Sequence, residues 1–170
     1  MSTIRYIPSS LAAEVGSVQS QDQETTMTNH WALHCAISQD HQSLELDPSP
    51  SGPNLSIVPI VTRRTAFTYS PDNDVVKTVR LDITPNLDLT FGRFVALLVE
   101  KGYDRYQFTS TGQGCRFWIS NLISLLRDEG YIQDSRQAQE AVDALGTVWG
   151  AGGQPVPASQ QSPISPGRFF

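Results

Sequence analysis

The spacing of apolar residues changes period once along this chain, at Thr90, and that switch constrains the fold more than any other feature. Before it, the apolar runs are short, β-branched or aromatic and alternating; after it, they recur at three and four residues. Strands followed by helices, rather than strands alternating with them, predict an α+β fold with an antiparallel sheet. HWALHCAI (30–37) and SLELD (43–47), joined by the polar SQDHQ, read as a hairpin. DPSPSGPN (47–54) is a breaker cluster, and LSIVPIV (55–61) is a further β-rich run that Pro59 confines to an edge or a bulge. In VVKTVRLDI (75–83), Val76, Thr78, Arg80 and Asp82 alternate with Val75, Lys77, Val79, Leu81 and Ile83. TIRYI (3–7) reads as a short strand, and the polar, Gln-rich stretch 9–29 as an exposed loop.

From Thr90, a suitable N-cap, Phe91, Phe94, Val95, Leu97 and Leu98 define a first helix that stops by Gly102. RYQFT (105–109) reads as a short strand and TGQG as a turn. A second helix opens at Cys115, with Trp118, Ile119, Leu122, Ile123, Leu125 and Leu126 on its apolar face, and ends before Gly130. A third starts near Asp134, where Asp134 and Gln137 have capping-box spacing. The remainder, 151–170, is rich in Gly, Pro and Ser and is expected to be a flexible tail on a single domain spanning 1–150.

Several function classes are disfavoured by composition. The chain has 170 residues, 39% of them hydrophobic and 17% charged, enough for a core without disulfide staples. A net charge of -5, with no Lys or Arg stripe, disfavours nucleic acid as a partner. No window approaches a membrane span and the first residues lack a signal-peptide core, so a cytoplasmic address is expected. Two cysteines in no CxxC pair and three scattered histidines indicate neither a disulfide framework nor a metal site, and no cofactor motif is present. Oligomeric state is not legible.

Cys115 carries the chemistry. At a helix N-terminus, unpaired N–H groups and the helix dipole favour a thiolate, and the same groups suit an oxyanion. Gly112 and Gly114 would let a substrate approach the backbone. The competing reading is a small buried residue where helix meets sheet. Strand alternation puts His30 and His34 on one face, with Trp31, Leu33 and Cys35 on the other. His30, at the strand's start, is the favoured base; His34, deeper, is the alternative, and His41 sits in a polar turn. Arg116 either holds a substrate carboxylate and lowers the thiol pKa or is an exposed first-turn residue. Trp118 lines a pocket or fills core, and Trp31 is assigned to core.

The order His-Trp-Ala-Leu on an early strand (30–33), then Tyr106 and Gly-Cys-Arg-Phe-Trp opening a helix (114–118), resembles the circularly permuted papain-like proteins. These include NlpC/P60 peptidases, lecithin:retinol acyltransferase-like enzymes and PPPDE thiol peptidases. Over residues 1 to 150 the chain is more closely similar to a family of small fungal proteins of unknown function. The resemblance implies an antiparallel sheet packed against about three helices, Cys115 as nucleophile and His30 as base. It implies a third, orienting residue on the next strand, where Glu45 falls and Asp47 is the alternative. Gly114, Arg116, Trp118 and Tyr106 would then contact substrate. Acyltransferase-like relatives carry Asn before the cysteine and a second His on that strand, where this chain has Gly114 and Glu45.

The expected function is thiol-dependent acyl transfer or amide or ester hydrolysis on a small-molecule, acyl or peptide substrate. Two alternatives remain open at this point. One is a non-catalytic binding module on the same fold; the other is a non-hydrolytic isomerase or cyclase acting on a fungal metabolite.

Overall fold

A computed structural model describes residues 8–17, 27–36, 42–50, 63–66, 75–83, 91–150 and 152–170. The strands expected at 3–7 and 55–61 lie outside these. Five strands, β1 (Pro8–Ser17), β2 (Met27–Ala36), β3 (Gln42–Leu46), β4 (Arg63–Ala66) and β5 (Val75–Asp82), form one sheet in the order β4-β3-β2-β1-β5. Every pairing is antiparallel. The expected hairpin is β2 and β3, in register from Leu33↔Leu46 to Ala36↔Ser43.

The first half of the expected loop at 9–29 is instead a central strand. β1 pairs with β2 from Ser9↔Cys35 to Ser17↔Met27 and with β5 on its other side. Its sequence, PSSLAAEVGS, is poor in β-branched residues, so neighbours on both sides, rather than local propensity, dictate its conformation. Pro8, which has no N–H to give, occupies the first position, where a ladder tolerates it.

The helices α1 (Phe91–Glu100), α2 (Cys115–Asp128) and α3 (Ser135–Gly146) follow, with α2 lying against β2 and α3 against β5. Alternation along β5 works as its pattern requires: Leu81 is buried, while Thr78, Arg80 and Asp82 face solvent. Trp31, Leu33, Leu46 and Leu81 of the sheet meet Leu98, Trp118, Ile119, Leu122 and Leu145 of the helical half in one core. The α3 cap is half of the expected box. Asp134 accepts from the N–H groups of Arg136 and Gln137, but the Gln137 side chain turns to Asp82, donating to Oδ2 at 2.9 Å and accepting the Asp82 N–H at 2.9 Å. The cap residue therefore also ties α3 to the end of β5.

The segment expected as a flexible tail is docked. Its strand β7 (Arg168–Phe169) pairs with β6 (Tyr106–Gln107), and the Phe169 ring lies 5.0 Å from that of Tyr103 and 4.8 Å from that of Tyr106. Gln161 accepts the Val148 N–H at 2.7 Å and donates to the carbonyls of Val148 and Val156. Gly and Pro density here reflects an extended path held by side chains, a pattern that composition does not separate from disorder. Among the described residues, no helix is long and apolar enough to cross a membrane.

Candidate active site

Cys115 is delivered by a turn with few degrees of freedom. Thr109 donates its N–H to the Gln113 carbonyl at 2.9 Å, and its hydroxyl accepts the Gln113 N–H at 3.0 Å. Gly114, the α2 N-cap, has φ of 147°, a conformation that side chains disfavour. A Cβ there would also come within 2.8 Å of the Tyr106 hydroxyl, which donates to the Gly114 carbonyl at 2.9 Å. The space on the Cβ side of Gly114 is thus filled by Tyr106 and Phe108, while Gly112 and Gly114 both line the cleft beside Cys115. No side chain caps α2, so its first-turn N–H groups are left for another acceptor.

The N-terminus of α2 arrives where the β2–β3 ladder stops at Leu33↔Leu46. The Cys115 thiol donates to the Asn29 carbonyl oxygen at 4.0 Å, and Cys115 and His30 line one cleft. His30 Nε2 is 2.6 Å from Asp47 Oδ1. Ser49 donates its hydroxyl to the same Asp47 oxygen at 2.6 Å.

The electrostatics follow from these contacts. Burial opposes charge on His30, but the hydrogen bond to Asp47 and the hydrogen bond and charge of the thiolate outweigh it, so its pKa is pushed up to about 10. Burial likewise opposes ionisation of Cys115. The His30 hydrogen bond and charge, the Trp31 N–H and the Arg116 charge prevail, and the thiol falls below its ordinary value. Both shifts act in the direction of a thiolate–imidazolium pair.

Glu45 is not the partner of His30. Its Cα pairs with that of His34, four residues along β2 from His30, about 13 Å at strand rise. Asp47, two residues beyond Glu45, comes back to His30 as the chain leaves β3. The side chains of His34, Cys35 and Glu45 lie outside the described residues. Arg116 neither holds an open carboxylate site nor is exposed: it is 5% accessible and donates to the carbonyls of Leu145, Ser162 and Pro163 and to the Ser162 hydroxyl. Trp118 is core, its indole N–H donating to the Tyr103 carbonyl at 3.0 Å, and Trp31 is core as expected. Tyr106 is fully buried and holds the turn before Cys115 rather than contacting a ligand.

Four contributors escaped the sequence reading. Ser49 steadies Asp47; the only available signal was the short polar step Asp-Pro-Ser. Asn29, 1% accessible, receives the Trp149 N–H on Oδ1 at 2.6 Å and donates to the Trp149 carbonyl at 2.9 Å, fixing the start of β2 to the end of the helical half. Gln113 and Ser165 face each other in the wall of a cleft of about 90 Å³ that also includes Thr28, His30, Gly114 and Cys115. No group of three or more His, Cys, Asp or Glu able to hold a metal ion occurs among the described residues.

A protein-family model described as a domain of unknown function (DUF7770) matches residues 11–170. No curated protein and no solved structure matches the chain.

Proposed function

The chain belongs to the DUF7770 family of domains of unknown function, and from its own side chains we propose that it is a thiol-dependent acyl-transfer enzyme or hydrolase. The observation that carries this reading is His30 bonded to Asp47 at 2.6 Å while it shares one cleft with Cys115 at the N-terminus of α2. The order of a strand-borne histidine before a helix-opening cysteine, as in circularly permuted papain-like proteins, supports the same reading.

The reactive form of the pair is the thiolate and imidazolium toward which both shifts act. The Cys115 thiolate attacks a carbonyl carbon, forming a C–S bond and placing the carbonyl electron pair on oxygen. As the intermediate collapses, the bond to the leaving group breaks and the imidazolium gives it a proton. The now neutral His30 takes a proton from water or an amine, which attacks the thioester and releases the thiolate. Asp47 orients the ring and offsets its charge throughout. With only about 90 Å³ available, the cleft admits the reacting acyl group while the bulk of a substrate stays outside.

Mixing the protein with p-nitrophenyl acetate at pH 7 should release nitrophenolate and leave an acetyl group on Cys115, detected by peptide mass spectrometry. Cys115→Ala should abolish both. A wild-type protein whose thiol reacts with iodoacetamide but never carries an acyl group would overturn the reading in favour of a binding module.

A further inference from the structure

The helix α1 is apolar on more sides than a surface helix needs to be. Phe94 and Leu98 turn into the core, and Arg93 and Glu100 are its only polar side chains. Its outer face carries Gly92, Ala96 and Val99, all exposed, with Val95 and Leu97 half-buried beside them. A surface helix normally turns a polar face to water, so this pattern asks for a cover. No described helix or strand runs closely along α1. Val99 and Phe170, 48% and 59% accessible, are also the large apolar side chains exposed among the described residues. A run of backbone bonds links the two: Gly102 donates its N–H to the Val99 carbonyl, Arg105 to that of Gly102, and Phe170 to that of Arg105.

The two charges indicate what that cover is. At 3.6 residues per turn, Gly92, Ala96 and Val99 form a central stripe, with Arg93 and Glu100 on one margin and Val95 on the other. Arg93 and Glu100 are about 10.5 Å apart along the axis, beyond the spacing of three or four residues at which side chains of one helix pair. When a second α1 is laid antiparallel about a twofold axis between Ala96 and Leu97, each copy's Arg93 comes level with the other's Glu100. On the opposite margin Val95 meets Val99, and Ala96 sits near the axis, where a small side chain allows close approach. A guanidinium has five donors, so Arg93 can keep a partner in its own chain and still serve the second copy. A membrane surface would favour a polar margin rich in Lys and Arg, whereas this one carries one charge of each sign.

We propose that α1 is a self-association surface whose partner is a second copy of this chain, docked antiparallel through Gly92, Val95, Ala96 and Val99 and fastened by two reciprocal Arg93–Glu100 pairs. The same patch serves both copies, so the contact closes on itself and stops at a dimer. A pair of ten-residue helices lies at the small end of interface size, so the association is weak. Nothing in it depends on the chemistry at Cys115.

Sedimentation of the full chain from about 10 μM to about 1 mM, the range of weak association, should show monomer giving way to dimer and to nothing larger. Arg93→Glu or Glu100→Arg alone sets like charges together twice per dimer and should weaken dimerisation by about tenfold. The two changes combined should restore it to within about threefold of wild type. Ala96→Glu, which brings a carboxylate to the axis from each copy, should leave only monomer. These positions are exposed, and thermal melts at low concentration check that each variant is folded; should Ala96→Glu melt early, the charge exchange decides alone. A wild-type chain that stays monomeric throughout overturns the proposal, and one that also binds anionic vesicles assigns the face to a membrane instead. A dimer indifferent to Ala96→Glu or to the single charge reversals, a double variant no better than the single ones, or growth beyond a dimer overturns it equally.

Discussion

Asp47 Oδ1 stands 2.6 Å from His30 Nε2 and receives the Ser49 hydroxyl at the same distance, so one carboxylate oxygen serves both the ring and its own anchor. Removing this carboxylate should let burial lower the His30 pKa, and the Cys115 thiol should rise in turn. Asp47→Ala is expected to slow iodoacetamide alkylation of Cys115 at pH 6 by about tenfold or more, since each unit of thiol pKa above the working pH removes roughly nine-tenths of the thiolate. Glu45→Ala, whose Cα faces His34 rather than His30, should leave the rate unchanged. Measuring both variants against pH checks the assignment.

The coupled pair also predicts an unusual dependence of stability on pH. His30, raised from 6.5 to about 10, contributes stability that is complete below 6.5 and lost as pH rises through about 10. Cys115, lowered from 9.0, contributes stability that is complete above 9.0 and lost as pH falls through its folded pKa. Above both 6.5 and the folded Cys115 pKa, and up to 9.0, the folded pair and the unfolded pair each hold one proton, and the two slopes cancel. The difference in unfolding free energy between wild type and the double variant His30→Gln, Cys115→Ala should therefore be flat across that window and decline above it. Urea titrations at a series of pH values measure it, and a steady slope through pH 7 to 8 would show that the pair is not ionised.

Deleting residues 161–170 should destabilise the protein strongly. The deletion strips Arg116, 5% accessible, of three acceptors and removes the Phe169 ring from Tyr103 and Tyr106. A stranded buried cation and a lost aromatic together cost about 4 kcal/mol or more. For a chain of this size that is roughly a 10 °C fall in Tm. A thermal melt of the truncated chain gives the answer directly.

Gly114→Ala places a methyl group 2.8 Å from the Tyr106 hydroxyl at a φ of 147°. The expected loss is about 2 to 3 kcal/mol of stability, from steric and backbone strain together. Adding Tyr106→Phe should recover part of it, because the hydroxyl is the nearest obstacle while Phe108 and the backbone strain remain. Denaturant unfolding of the two single variants and the double variant closes the cycle.

The residues that reveal themselves in the sequence are those whose role is set by near neighbours. The α2 helix could be read from its period and the glycines before it, and the hairpin from two β-rich runs around a polar turn. His30 stood out as the ring that opens a β-rich run, although β2 itself begins three residues earlier at Met27. β1 did not, because Ser, Ala and Glu carry little strand signal and its conformation comes from partners at residues 27–35 and 75–82. The choice of Asp47 over Glu45 depends on where β3 ends, and a shift of two residues along a strand moves a carboxylate about 7 Å. Arg116 misled for a related reason: a charged side chain in the first helical turn looks exposed until Ser162 and Pro163, more than 40 positions away, are known to surround it.

The clamp between Asn29 and Trp149 sets a clock on the making of this protein. Its two halves are 120 positions apart, so at about 5 to 20 residues per second the first waits roughly 6 to 24 s on the ribosome for the second. During that interval β2 can pair with β1 and β3, yet the Asn29 amide lacks the backbone that will hold it, and Cys115 has yet to be translated for most of the time. The histidine strand is thus built early and its thiol partner late, and the nascent chain spends most of its synthesis without an assembled nucleophile.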